Sequence, residues 1–160
     1  LSTGFHFPGP AAVRYPRGAG TGIAAGTDLA SIEIGKARVV RQGHELAIFS
    51  FGSTLSAAIP VAESLDATLI DMRFIKPLDE SLLRELAGTH TRFVSVEDNA
   101  VMGGAGSAVS EFFRSANIGV DLLQLGLPDA YQEHASREQL LAEAGIDSAG
   151  ILNAIKKRWV

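Results

Sequence analysis

The 160-residue chain contains no cysteine, which removes disulfides, thiolate metal ligands and a thiol nucleophile together. That absence fits a reducing, cytoplasmic setting. Aromatic residues make up 7% of the sequence and are not interleaved with basic clusters, while 14 lysines and arginines are outnumbered by 18 aspartates and glutamates. The net charge of −4 and the pI near 5.5 argue against a nucleic-acid platform. No apolar run approaches the roughly 20 residues that a membrane-spanning helix needs, and the N-terminus has no charged stretch followed by an apolar core, as a secretory leader would.

What is present is apolar content: 46% of the residues are hydrophobic, enough for one domain to bury a core without disulfides or metal. The prior is one domain with a short additional piece. The chain opens on Leu1 rather than methionine, so a fragment or processed product of something longer is the expectation.

The hydrophobic pattern alternates between strand and helix. Ala11 to Tyr15 reads as a short strand stopped by Pro16, and Arg17 to Ile34 carries four glycines without periodicity, which marks a linker and a domain boundary. Lys36–Arg41 and Leu46–Ser50 read as a hairpin around Gln42–Glu45, the first strand at an edge and the second central. Ser53 is placed to cap a helix to about Leu65, bent or started late by Pro60. Then follow a strand at Thr68–Asp71, a helix over Glu80–Ala87 capped by Asp79, a strand at Phe93–Val96, a helix over Ser107–Ser115 and a strand at Val120–Leu125. Ser136 and Gln139 have capping-box spacing, Gly145 ends that helix, and a last helix from Asp147 carries Ile151, Ile155 and Trp159 on one face. Alternation with β-branched strands predicts an α/β fold: three layers, with a mostly parallel sheet of about five strands between helices. Sites in such sheets lie beyond the carboxyl ends of the strands, which here carry Gly52–Ser53, Asp71–Arg73, Glu97–Asn99 and Gly126–Pro128.

The glycine cluster Gly103, Gly104 and Gly106 follows the acidic turn Glu97–Asp98–Asn99 and opens a helix. Glycines there allow either an anion held on helix N–H groups or close packing at a domain or subunit contact. The spacing is neither a dinucleotide fingerprint nor a P-loop, and no serine sits in a G-x-S-x-G elbow. Neighbouring carboxylates in a strand point to opposite faces, so Glu97 and Asp98 suit capping or interface roles better than shared acid–base work. The four histidines, His6, His44, His90 and His134, lack the spacing of a helical metal pair. Asp71, Arg73, Lys76 and Asp79 read as an ion-pair network shaping a turn. Arg14 and Arg17 flank Tyr15–Pro16, and Arg17, beside Gly18, is the more exposed candidate for bidentate phosphate recognition.

Taken together, Ala12–Gly18, Asp71–Asp79, Glu97–Gly106 and Gly126–Asp129 resemble the C-terminal part of the 1-deoxy-D-xylulose-5-phosphate synthase family, over nearly the whole chain. The Arg-Tyr-Pro-Arg and Met-Gly-Gly segments carry the specificity, whereas Lys76-Pro-Leu-Asp79 also suits transketolases and 2-oxoacid dehydrogenases. The resemblance implies a thiamine diphosphate- and Mg2+-dependent transferase that decarboxylates pyruvate and condenses it with D-glyceraldehyde 3-phosphate, working as a homodimer in the cytoplasm for isoprenoid, thiamine and pyridoxal phosphate synthesis. It implies residues 1–18 as the tail of a pyrimidine-binding domain, 19–34 as a linker and 35–160 as a transketolase C-terminal-type domain. Within this chain it implies no catalytic, cofactor or metal residue, no bound cofactor, and one substrate contact: Arg17 on the glyceraldehyde phosphate. Alternatives are the equivalent domain of a transketolase or of a 2-oxoacid dehydrogenase E1 beta subunit, or a non-enzymatic interaction module.

Overall fold

The computed structural model describes residues 1–13 and 28–159. It divides into two units, Leu1–Ile34 and Gly35–Val160. In the first, Ser2–His6 forms a short helix, α1. Ser2 Oγ donates to the Leu29 carbonyl, and the Ile32 N–H donates to Thr3 Oγ1 at 2.8 Å. Ala11–Val13 is not in a strand, and the remainder of that expected strand, with Arg14 and Arg17, lies outside the described residues.

The second unit holds the sheet. Its strands are β1 (Arg38–Arg41), β2 (Leu46–Phe51), β3 (Thr68–Asp71), β4 (Arg92–Ala100) and β5 (Asp121–Leu127), in the order β1-β3-β2-β4-β5. Four strands are parallel, and β1 runs antiparallel at one edge. The expected hairpin does not form: β1 pairs with β3, not with β2. β1 takes the free side of β3 because β3 and β4 already flank both sides of β2. The six residues of β2 read Leu-Ala-Ile-Phe-Ser-Phe, a continuous run that suits a strand covered on both faces.

Two apolar layers sandwich this sheet. On one face α2 (Leu55–Ser64), α5 (Arg137–Glu143) and α6 (Ser148–Trp159) cover Leu46, Ile48, Leu69, Val94 and Val96. On the other, α3 (Glu80–Ala87) and α4 (Ala105–Ser115) cover Phe49, Ile70 and Phe93, with Phe93 packed between the rings of Phe49 and Phe113. Alternate residues of β4 therefore serve different cores, as the two-residue repeat of a strand requires.

Local signals behave as the chemistry dictates, with one exception. Asp79 caps α3 by accepting from Leu82 N–H at 3.3 Å, and the Ser136–Gln139 capping box is complete in both directions. Ser53 does not cap α2; it lies in a 3-10 turn (Gly52–Thr54), and its hydroxyl reaches elsewhere. Pro60 remains inside α2 on its exposed side, where water can satisfy the carbonyl it leaves free, and the helix begins at Leu55, later than the capping pattern predicts.

Candidate functional site at the carboxyl edge of the sheet

The carboxyl ends of β2, β3, β4 and β5 form one edge, and Glu97 is its most constrained carboxylate. The sequence predicts that β4 stops at Val96, followed by an acidic turn. Instead the strand runs on to Ala100, and Glu97 is 3% exposed. Two backbone donors at the start of α4 explain that burial: Ala105 N–H donates to Oε2 at 2.7 Å and Gly106 N–H to Oε1 at 2.8 Å. A helix N-terminus leaves its first N–H groups without partners and carries partial positive charge, so a carboxylate there is stabilised twice.

The glycines make that approach possible. A Cβ at Gly104 would lie 2.2 Å from Glu97 Oε2, and one at Gly106 would lie 2.4 Å from Ser95 Oγ. The cluster thus cradles an anion that is the chain's own Glu97, and the close packing this needs lies inside the domain. Ser95, 1% exposed, lies beneath Gly106 with its hydroxyl unpartnered.

Asp98 points the other way, as adjacent residues in a strand must. It accepts from Ser53 Oγ at 2.9 Å and from Arg137 Nη2 at 3.1 Å, while Arg137 also donates to Ser53 at 2.8 Å. Reasoning from sequence missed Arg137. The available signal was a cation in the first turn of α5, against the helix dipole. At β3, Asp71 meets Arg38 at 3.2 Å and Arg73 at 3.7 Å, the expected ion-pair network, though Lys76 is not in it. Asp79 is instead contacted by Lys36 at 3.5 Å. Burial pushes the Asp79 carboxyl up, but hydrogen bonds from Ser81, Ala37 N–H and Leu82 N–H, with Lys36 nearby, outweigh it and hold it below the ordinary range.

The histidines are dispersed. His44 pairs with Asp66 at the amino edge, and His90 Nε2 meets Thr68 Oγ1 at 2.8 Å. Among the described residues, no cluster of three or more histidine, aspartate or glutamate side chains is placed to share a metal ion.

A family model for the transketolase C-terminal domain matches residues 35–151. The chain belongs to the transketolase C-terminal domain family. It is 58% identical over 158 residues to a 1-deoxy-D-xylulose-5-phosphate synthase of Pseudomonas aeruginosa (strain LESB58), covering 99% of this chain and 25% of that protein. A 1-deoxy-D-xylulose-5-phosphate synthase of Stenotrophomonas maltophilia (strain K279a) is 56% identical, with the same coverage. The chain spans about a quarter of the length of these curated relatives. Among solved structures, a split-gene transketolase, an inactive beta4 tetramer, superposes with a TM-score of 0.74 at 28% identity over 80% of this chain and 43% of that one. A transketolase from Campylobacter jejuni shares the fold, with a TM-score of 0.53 at 10% identity over 77% of this chain and 18% of the other. Of the carboxyl-edge motifs, Asp71–Asp79 and Glu97–Gly106 build this domain's strand-to-helix turns, while the Arg17 segment precedes it.

Proposed function

We propose that this chain is the C-terminal region of a 1-deoxy-D-xylulose-5-phosphate synthase, a cytoplasmic transferase that joins the two-carbon unit of pyruvate to D-glyceraldehyde 3-phosphate with loss of CO2. The observation that carries the reading is 58% identity across 99% of the chain to a protein of that name. Identity to the split-gene transketolase is half as high, which favours the synthase over a transketolase; a 2-oxoacid dehydrogenase E1 beta subunit and a non-enzymatic interaction module remain the alternatives. In this reading residues 1–18 end a pyrimidine-binding domain, 19–34 link it to 35–160, and the whole enzyme is a homodimer.

The reading places thiamine diphosphate and Mg2+ on other parts of the enzyme. Among the described residues the carboxyl edge does not fit the cofactor: the α4 donors that would suit a phosphate are taken by Glu97, and the edge carboxylates Asp71 and Asp98 are each engaged by arginines. The chain alone is accordingly proposed to be inactive, supporting an active site completed elsewhere. The inactive state named for the split-gene transketolase tetramer is consistent with this.

Arg17 is the proposed contact with the substrate phosphate. A charge-assisted hydrogen bond contributes about 2 kcal/mol, or roughly thirty-fold in binding. In the full-length protein carrying this chain, Arg17→Ala should raise KM for D-glyceraldehyde 3-phosphate by about that factor and leave KM for pyruvate nearly unchanged. Equal losses for both substrates would count against Arg17, and absence of any synthase turnover in the wild type would remove the reading itself.

A further inference from the structure

From β2 the chain crosses to β3 on one side and then returns past β2 to β4 on the other. The crossover direction reverses between β2 and β4, and the crevice outside the carboxyl ends at such a reversal is where open α/β sheets bind ligands. Here three side chains from three separate segments meet across it: Ser53 from the turn after β2, Asp98 from the end of β4 and Arg137 from the first turn of α5. Arg137 occupies the end of α5 where the helix dipole disfavours a cation. Its place is explained by its partners across the crevice, not by its helix.

Arg137 is also where the segment 128–136 rejoins the fold. Within that segment the hydrogen bonds are local: Ala130 N–H to the Pro128 carbonyl at 2.9 Å and Gln132 Nε2 to the Ala130 carbonyl at 3.4 Å. Just before it, the carbonyl of Leu127 at the end of β5 accepts from Val101 N–H, one residue past β4, at 3.1 Å; at its far end Ser136 N–H donates to Gln139 Oε1 at 3.0 Å and the next residue, Arg137, enters the clamp. Between these ties the segment carries a fully exposed Tyr131 and, with Asn99 and Asp129, bounds an open cavity of about 460 Å3. Asn99 follows Asp98 directly and Arg137 follows Ser136, so the clamp adjoins both the floor of this cavity and the segment at its rim.

We propose that Arg137 is a positioning residue for the reaction: by clamping Ser53 and Asp98 across the crevice it fixes the segment 128–136, and with it the cavity between Asn99 and Tyr131, as a substrate-facing rim of the assembled enzyme. The kinetic half of this inference rests on the synthase reading; the clamp does not.

The test uses the full-length protein carrying this chain. Arg137→Ala and Asp98→Ala should each raise amide exchange about three-fold or more at the hydrogen-bonded N–H groups of the segment, Ala130 and Ser136, while β2 and β4 stay protected. Each should also raise KM for at least one substrate five-fold or more with kcat within two-fold, the pattern of lost binding rather than lost chemistry. The exchanged pair Asp98→Arg with Arg137→Asp should recover most of both effects. Gln139→Ala, which breaks the α5 capping box from outside the rim segment and leaves the clamp, should keep the wild-type KM. Wild-type exchange and KM in Arg137→Ala would overturn the proposal, as would a Gln139→Ala variant that reproduces the KM change. If the wild type shows no synthase turnover, the synthase reading fails and the exchange result decides the clamp: unchanged exchange removes it, raised exchange retains it without its kinetic role.

Discussion

Removing the Glu97 carboxylate should be among the most damaging single changes in the sheet unit. Glu97→Ala leaves the N–H groups of Ala105 and Gly106 without their acceptors at positions closed to solvent. Each orphaned buried donor costs about 1–3 kcal/mol, and the lost charge at the start of α4 adds a few tenths to about 1 kcal/mol. Allowing for partial entry of water, the expected loss is about 3–5 kcal/mol, a large share of the 5–15 kcal/mol typical of a domain. Glu97→Gln retains one acceptor oxygen but turns an amide donor toward a backbone donor, so it should cost about half as much. Urea titration followed by the single tryptophan, Trp159, reads this directly, since its indole packs at the core margin and donates to Asp121 at 2.7 Å. The midpoint should fall with the slope unchanged. A loss below about 1 kcal/mol for Glu97→Ala, or equal losses for the two variants, would refute the reasoning. Gly104→Ala offers a cross-check. Its Cβ would overlap both Glu97 Oε2 and the Ala100 carbonyl, so the double variant with Glu97→Ala should cost less than the sum of the two.

Ser95→Ala should be neutral or stabilising by up to about 1 kcal/mol in the same assay, because it removes a buried hydroxyl that has no partner. Asp79→Ala should cost about 2 kcal/mol by removing the α3 cap and the acceptor of Ala37 N–H. Since the folded state holds the Asp79 carboxyl below its ordinary 3.8, its contribution is present above about pH 4 and is lost as pH falls below that, so the variant should show a shallower acid limb. Burial, helped by His44, holds His90 below its ordinary 6.5 despite a hydrogen bond to the Leu86 carbonyl. The folded state therefore resists protonation, and stability present above about pH 6.5 should fall as pH drops through that value toward the folded-state pKa. His90→Gln should flatten thermal stability between pH 7 and 5, and an unchanged slope would remove His90 as the cause.

Much of the fold was legible because its signals were local. The alternation of apolar runs, the Asp79 cap and the Ser136–Gln139 box each depend on a few neighbouring residues, and each formed as its chemistry requires. Pairing was harder. The turn 42–45 suited a hairpin, yet β2, buried end to end, is enclosed by β3 and β4, and β1 reaches β3 instead. Nothing within the turn itself encodes that competition for a fully covered position. The site followed the same division. The glycines and acids near residues 97–106 were visible as a group, but which oxygen met which N–H was not, because the strand extends past Val96 to reach the helix. Arg137 meets Ser53 and Asp98 across separations of 84 and 39 residues, a distance at which sequence spacing carries no information.

The engagement of Glu97 has an electrical consequence for anything docked at this edge. A bare helix start would project positive potential outward and compete for a neighbouring phosphate. With its first donors spent on an internal carboxylate, α4 is electrostatically quiet at that end. A phosphate brought to this edge would therefore meet no free helix start at α4 to draw it in.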